Sequence, residues 1–176
     1  MIKTFPNSIR SIVMLKKIII FLLLTLISMN VVSKTIYIQS TKIHVHDGDT
    51  LNFYYQSRKY KIRSSCIDTP ELYGPSKSIG LQSKKKFIQL IKNHKVIKFI
   101  LKGKDRYGRY IGTLYGNDSD INLQMVRQGY AFVYKKYCQN PEYYFAFKQA
   151  KLEKKGLFRE GKHITEPWKY RRKYRP

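Results

Sequence analysis

The amino-acid sequence predicts an α+β domain built on a small closed β-barrel, with helices inserted between and after the strands. Five short segments alternate apolar and polar residues and are separated by turn residues, as half-buried strands are. Three further segments carry helical signals, in the spacing of their apolar residues or in the Pro and Gly at their ends. The chain has 176 residues, which is enough for one domain with a substantial core and too few for two.

The first three strands form a predicted meander with short turns. Ile36 and Ile38 alternate with polar residues, and Ile43 and Val45 continue with opposite parity. A parity change inside a strand indicates a bulge or bend, which barrels use to turn corners. The strands are predicted within 36–45, 51–55 and 60–67, with turns at 47–50 and 56–59.

The second half of the chain supplies two more strands and three helices. Gly129 ends the second helix at a common left-handed cap position, and Pro141 begins the third. Segment 157–176 is basic and aromatic, and we expect it to add packing and backbone-binding charge without a catalytic role. The helices are predicted at 76–93, 121–128 and 141–155, and the strands at 95–102 and 109–115. Five short strands with about three α-helices favour the OB-fold, a five-stranded barrel.

The N-terminal segment, 1–33, has the features of a secretory signal peptide. Four basic residues precede an apolar run at 18–27, and small residues follow up to Ser33. Cleavage near Ser33 would leave residues 34–176 as the exported domain, either secreted or periplasmic. The alternative is a membrane anchor formed by an uncleaved segment 18–32, but this segment is shorter than the roughly 20 residues that a spanning helix needs.

Two cysteines, Cys66 and Cys138, remain after the signal peptide. An exported protein can form a disulfide. Cys66 lies inside an apolar strand pattern and the chain shows no short-loop disulfide framework, so the sequence favours buried free thiols.

The charge of the chain indicates a polyanionic partner. Lys and Arg number 35 against 11 Asp and Glu, which gives a formal net charge of +24 and a pI near 10.0. A solvated lysine-rich surface or an anionic membrane surface would also account for this excess. The 15 tyrosines favour nucleic acid, because aromatic rings among cations stack on bases.

The residues 63–71, R-S-S-C-I-D-T-P-E, combine a cation, two carboxylates and a rigid corner. Proline fixes its own φ and pushes Thr69 into extended geometry. Asp49, Asp68 and the Thr69 carbonyl would together make a sparse all-oxygen site suited to a hard cation such as Ca²⁺. A transition-metal site at His44 and His46 is the weaker reading, since no third nitrogen or thiolate ligand is in view.

The same stretch offers groups for phosphodiester hydrolysis. Glu71 is the candidate general base. Arg63 and Arg109 are the candidate phosphate ligands, because planar guanidinium groups match phosphate oxygens and offset the charge of a five-coordinate transition state. Arg106 and Tyr107 are candidate substrate contacts.

Four motifs in order resemble the staphylococcal nuclease (thermonuclease) family: D-G-D-T at 47–50, R-S-S-C-I-D-T-P-E at 63–71, D-R-Y-G-R at 105–109 and V-R-Q-G-Y-A at 126–131. The resemblance implies an OB-fold with three helices and a Ca²⁺-dependent nuclease that leaves 3′-phosphate ends. It places catalytic roles on Arg63, Glu71 and Arg109, and calcium ligands on Asp49, Asp68 and Thr69. The nucleotide-stacking tyrosines of the family fall near Tyr134 and Tyr137.

Two functions therefore compete. The first is an exported nuclease that acts on DNA or RNA as a monomer, with no obligate protein partner. The second is a basic OB-fold module that binds nucleic acid without cutting it. The intact set of Arg63, Glu71 and Arg109 favours the nuclease.

Overall fold

The computed structural model describes residues 14–17, 33–159 and 164–174, in a chain that divides into two compact units, 1–32 and 33–176. In the first unit, residues 14–17 are helical and exposed. The rest of the predicted signal peptide before Ser33 lies outside the described residues. No helix within the described ranges has both the length and the apolar character to cross a membrane.

The second unit is organised by a mixed sheet that curls on itself. The strands of this unit are β1 (Lys34–Gln39), β2 (His44–Val45), β3 (Thr50–Tyr55), β4 (Arg58–Ser64), β5 (Ile67–Asp68), β6 (Val96–Lys104), β7 (Tyr110–Gly116), β8 (Ser119–Asp120) and β9 (Phe132–Val133). The strand order in the sheet is β1-β6-β7-β4-β3-β2, and β8 pairs with β7. The two outer strands, β1 and β2, are separated by residues 40–43 alone, so the sheet has to bend round to bring its edges near each other.

This curled sheet with its helices confirms the predicted barrel class. The expected parity change falls at a 3₁₀ turn, Ser40–Lys42, after which the chain leaves β6 and pairs with β3 instead. The apolar faces of the strands meet in one core, which includes the fully buried side chains of Phe53, Ile62 and Phe99. On β4, Ile62 and Ser64 are buried in the core, while Arg63 between them points to the other face and is partly buried, as the alternation predicts.

Helices pack around the sheet in the predicted order. Those of the second unit are α1 (Lys77–Lys92), α2 (Ile121–Arg127), α3 (Pro141–Leu152) and α4 (Pro167–Tyr174). Asp120 caps α2 by accepting a hydrogen bond from the Leu123 N–H, and Asn140 caps α3 through the Glu142 N–H. Gly129, after α2, has φ +76°, as the cap prediction requires. The helix α4 lies in the basic tail, for which no element was predicted.

The predicted third strand, 60–67, is wrong at its end. β4 stops at Ser64, and Cys66 adopts a left-handed backbone with φ 64°. Beyond this kink, Ile67 and Asp68 form β5, which pairs with β9 in a separate two-stranded sheet. The chain therefore leaves the barrel before Asp68, and β9 holds that residue in place.

The prediction of free thiols is also wrong, because Cys66 and Cys138 form a disulfide. The β5–β9 pairing is the physical reason. It sets Tyr134 beside Cys66, where the Tyr134 N–H donates to the Cys66 carbonyl at 2.8 Å, and a short 3₁₀ turn then carries the chain back to Cys138. The Cα atoms of the two cysteines lie 4.4 Å apart.

Candidate active site

Asp49 lies in the turn between β2 and β3 and is fixed against the corner after β5. The turn is closed by Asp47, whose Oδ1 accepts from the Asp49 and Thr50 N–H groups at 2.9 and 2.6 Å. Asp49 Oδ2 accepts two hydrogen bonds from Thr69, through its N–H and its hydroxyl, both at 2.8 Å. Two segments 20 residues apart in sequence are thereby joined at one carboxylate.

Arg63 connects the two aspartates among the predicted metal ligands. Its guanidinium lies 3.0 Å from Asp49 Oδ1 and 2.8 Å from Asp68 Oδ1. The Arg63 side chain is 12% exposed and that of Asp68 1%. Charges removed from water in this way need close, hydrogen-bonded partners. The three side chains therefore form one compact cluster, as predicted.

Glu71 stands on a corner that α1 supports. A Cβ on Gly80 would lie 2.3 Å from the Glu71 carbonyl oxygen and 2.8 Å from that of Pro70. Only glycine lets the helix approach the backbone this closely. The rigid corner inferred from Thr69 and Pro70 is thus also held from the helix side.

Arg171 on α4 is a member of this cluster that the sequence reasoning missed. Its guanidinium donates to both carboxylate oxygens of Asp68, at 3.1 and 2.7 Å, and to Glu71 Oε1 at 2.7 Å. It joins Asp68 and Glu71, so the residues 49, 63, 68, 69 and 71 belong to one continuous network. No local signal could have identified this contact, since Arg171 follows its partners by 100 residues or more and stands among other basic residues.

Burial and charge shift the acidity of these groups. Burial raises the pKa of Asp68, against the opposing effect of the Arg171 and Arg63 guanidinium groups. Burial, with the nearby Asp49 charge, also raises the pKa of Asp47 to about 7. For Arg171, burial is outweighed by the hydrogen bonds to Asp68 and Glu71, so its pKa is raised.

Arg109 is held by a carboxylate that is not part of this network. It directly precedes β7, where Ile111 is the Cα partner of Arg63 across the parallel β4–β7 pair. Asp105 Oδ2 lies 2.8 Å from Arg109 Nε and 2.7 Å from its terminal nitrogen. Asp105 is thus a second residue that sequence reasoning did not assign to the site, although it belongs to the quoted D-R-Y-G-R motif.

The predicted substrate contacts occupy two places. In the turn before β7, the guanidinium groups of Arg106 and Arg109 lie 4.8 and 5.5 Å from the Tyr107 ring centroid. At the other place, Tyr134 stacks on Trp168 with centroids 5.7 Å apart, and Tyr137 packs edge-on against Tyr134. Tyr137 is 64% exposed, so much of its side chain is accessible from solvent.

The donor set of the cluster fits a hard divalent cation by its chemistry. Asp49, Asp68 and the Thr69 carbonyl supply oxygen alone, which Ca²⁺ prefers. Across the described part of the chain, no three His, Cys, Asp or Glu side chains converge to hold a metal ion, and this includes the neighbourhood of His44 and His46. An ion at the two aspartates would therefore need water and substrate oxygens to complete its shell.

Comparisons with known proteins agree with this architecture. The family described as staphylococcal nuclease homologue matches residues 61–160. An uncharacterized endonuclease of Haemophilus influenzae is 37% identical over 131 residues, which are 74% of this chain and 71% of that protein. A micrococcal nuclease of Shigella flexneri is 28% identical, with 74% of this chain and 78% of that protein covered. A probable staphylococcal-like nuclease of rice is 36% identical, and the match covers 68% of this chain but 30% of the rice protein. The chain therefore belongs to the staphylococcal nuclease family and is a nuclease of the hydrolase class.

Proposed function

We propose that the protein is an exported, calcium-dependent nuclease that hydrolyses phosphodiester bonds of DNA or RNA and leaves 3′-phosphate ends. The observation that carries the proposal is the cluster in which Arg63 contacts both Asp49 and Asp68. Glu71 belongs to the same cluster because Arg171 contacts both Glu71 and Asp68. A binding module has no need for a buried carboxylate pair next to a glutamate on a rigid corner.

Asp49, Asp68 and the Thr69 carbonyl would hold the calcium ion. When bound, the ion would act as a Lewis acid that offsets phosphate charge. So few protein ligands predict weak affinity, about 10⁻⁴–10⁻³ M, which suits a protein that works outside the cell.

Glu71, Arg63 and Arg109 would carry out the proton transfer and the charge stabilisation that hydrolysis needs. Glu71 accepts a proton from a water molecule whose oxygen attacks phosphorus. The P–O5′ bond breaks, the 5′ oxygen leaves with a proton from solvent, and the phosphate stays on the 3′ oxygen. Arg63 and Arg109 bind the nonbridging oxygens as their negative charge grows. Hydrolysis without an enzyme is slow enough that on the order of 20 kcal/mol has to be removed from the barrier, and such charge stabilisation is the largest source available.

Substrate binding falls to the basic and aromatic surface. Arg106, Tyr107, Tyr134 and Tyr137 offer cations and rings to a flexible single strand. These contacts are to backbone and base faces, which carry little base-edge information. We therefore propose that the substrate is DNA, RNA or both, and that the protein acts as a monomer.

Export is supported by the disulfide and by the signal-peptide pattern at 1–33. Disulfides persist in oxidising compartments and are rare in the cytosol. N-terminal sequencing of the protein recovered from the periplasm or the medium would begin near residue 34 if the peptide is cleaved. An intact N-terminus in the membrane fraction would instead favour an anchor at 18–32.

The direct test incubates the purified protein with single-stranded DNA and RNA, with Ca²⁺ or with a chelator. We expect cleavage in the presence of Ca²⁺ and no cleavage in the presence of the chelator. A polymerase should extend the 3′ ends of the products only after a phosphatase has removed the 3′-phosphate. Glu71→Gln should lower the cleavage rate about 10²–10⁴-fold while nucleic-acid affinity changes little. Arg109→Ala should lower it about 10²–10³-fold. The control is Glu153→Gln, at an exposed position after α3.

Two results would oppose the proposal. Binding without calcium-dependent cleavage would favour the non-catalytic module. Equal losses of binding and cleavage in the Glu71 and Arg109 variants would contradict the roles assigned to them.

A further inference from the structure

We propose that Arg171 is an internal competitor of the divalent cation: its guanidinium occupies the oxygens of Asp68 and must leave them before the ion can bind. The inference rests on the calcium site proposed above. It adds a control element, the C-terminal helix α4, to that site.

The contact geometry is the first argument. Arg171 spans both oxygens of Asp68 and reaches Glu71 with the same nitrogen that contacts Asp68 Oδ1. A two-nitrogen grip on a carboxylate is among the stronger ion-pair arrangements. Both oxygens of the proposed calcium ligand are therefore already bound to a cation.

The docking of α4 is the second argument, because it shows that Arg171 is presented by an anchored helix. Tyr170, next to it, is buried, and its hydroxyl donates to the Tyr73 carbonyl at 2.9 Å while accepting from the Ser76 N–H at 3.3 Å. Trp168, on the same helix, packs against Phe132. Helix α4 is thus attached on both sides of the corner that carries Glu71.

Arg171, rather than Arg63, is the arginine that we expect to leave Asp68. Arg63 is tied to both Asp49 and Asp68, whereas Arg171 contacts Asp68 and Glu71 and is the more exposed of the two. A divalent ion sharing Asp68 with a guanidinium would be repelled by it. A swing of the Arg171 side chain removes its share of that repulsion and leaves the helix in place.

Release of Arg171 would also free Glu71, the proposed general base. One movement then couples occupation of the metal site to availability of the base. By linkage, the energy of the Arg171 contacts is subtracted from the binding energy of the ion, so the contacts lower its affinity.

The test measures Ca²⁺ binding directly, by isothermal titration calorimetry without nucleic acid, so that activity is not the readout. Arg171→Gln should lower the dissociation constant for Ca²⁺ about tenfold, since one cation at the ligand is removed. Arg172→Gln is the matched control, because it removes the same charge from an exposed position on the same helix. It should change the constant by no more than about twofold. Arg171→Lys, which keeps the charge but loses the two-nitrogen grip, should fall between wild type and Arg171→Gln.

The fluorescence of Trp168, the only tryptophan, reports whether α4 stays docked in each variant. If Arg171→Gln undocks α4, the test is the comparison of the dissociation constants of Arg171→Lys and wild type. Equal affinities in wild type, Arg171→Gln and Arg171→Lys, or weaker binding in the Arg171 variants, would overturn this inference and leave the calcium site standing. Absence of Ca²⁺ binding in every variant, with cleavage retained, would overturn the calcium site and this inference together.

Discussion

Removal of the disulfide between Cys66 and Cys138 should take away a large part of the folding free energy. The bridge joins residues 72 positions apart, and the chain entropy of a loop of this length corresponds to about 4 kcal/mol. Globular domains have a total stability of about 5–15 kcal/mol. The loss therefore ranges from a quarter of the stability to most of it.

The perturbation is the double variant Cys66→Ala with Cys138→Ala, since a single substitution would leave a reactive thiol. Urea unfolding followed by Trp168 fluorescence gives the free energy of unfolding for the variant and the oxidised wild type. Wild type reduced with dithiothreitol is the control. It keeps both sulfur atoms and lacks only the covalent bond, so its difference from the double variant isolates the packing of the buried Cys138.

Thiol titration of the denatured protein without reductant provides an independent check. We expect no reaction, because both thiols are consumed in the bridge. Two reactive thiols per chain would refute the disulfide, and a double variant with the urea midpoint of the oxidised wild type would refute the reasoning about its contribution.

Two further predictions concern carboxylates near the site. Asp105→Asn removes the charge that holds Arg109, so we expect kcat to fall about tenfold or more with little change in KM or in unfolding free energy; an unchanged kcat would contradict this positioning role. The second concerns Asp47, whose pKa burial raises to about 7. A carboxyl group whose pKa is raised in the folded protein contributes its full stability below about pH 4, the ordinary pKa of the group. This contribution is lost as the pH rises through about 7, the pKa in the folded protein. Asp47→Asn keeps the turn acceptor but cannot ionise, so it should lose less stability than wild type between about pH 5 and pH 8; identical losses in urea unfolding would contradict the assignment.

Much of the barrel could be predicted because its strands are long enough to show a period. The alternation at 60–64 and 96–101 is a local property that burial on one face imposes. β5 and β9 have two residues each, so neither shows a period, and their pairing depends on contacts across more than 60 residues. The misplaced end of the third strand and the missed disulfide both follow from that pairing.

The same distinction applies to the site. The proximity of the residues Asp49, Arg63, Asp68 and Thr69 could be predicted, because each stands at or near a strand end or on a stiff corner. Arg171 could not be predicted, since its helix carries four basic residues and only packing selects the one that faces Asp68. The catalytic, metal and substrate roles themselves stay predictions until the variants are measured.

The acidic residues of this chain are few, and several of them are concentrated in the cluster around Asp68. The chain carries 11 Asp and Glu against 35 Lys and Arg, yet three of the 11, at positions 49, 68 and 71, meet within one network. The positive field of such a chain attracts nucleic acid but repels a divalent cation, so a cation site needs local oxygens to overcome the surrounding charge. A phosphate of the substrate brings more negative oxygen to the same place. The ion and the nucleic acid proposed here should accordingly bind better together than either does alone, and each should favour the state in which Arg171 has left Asp68.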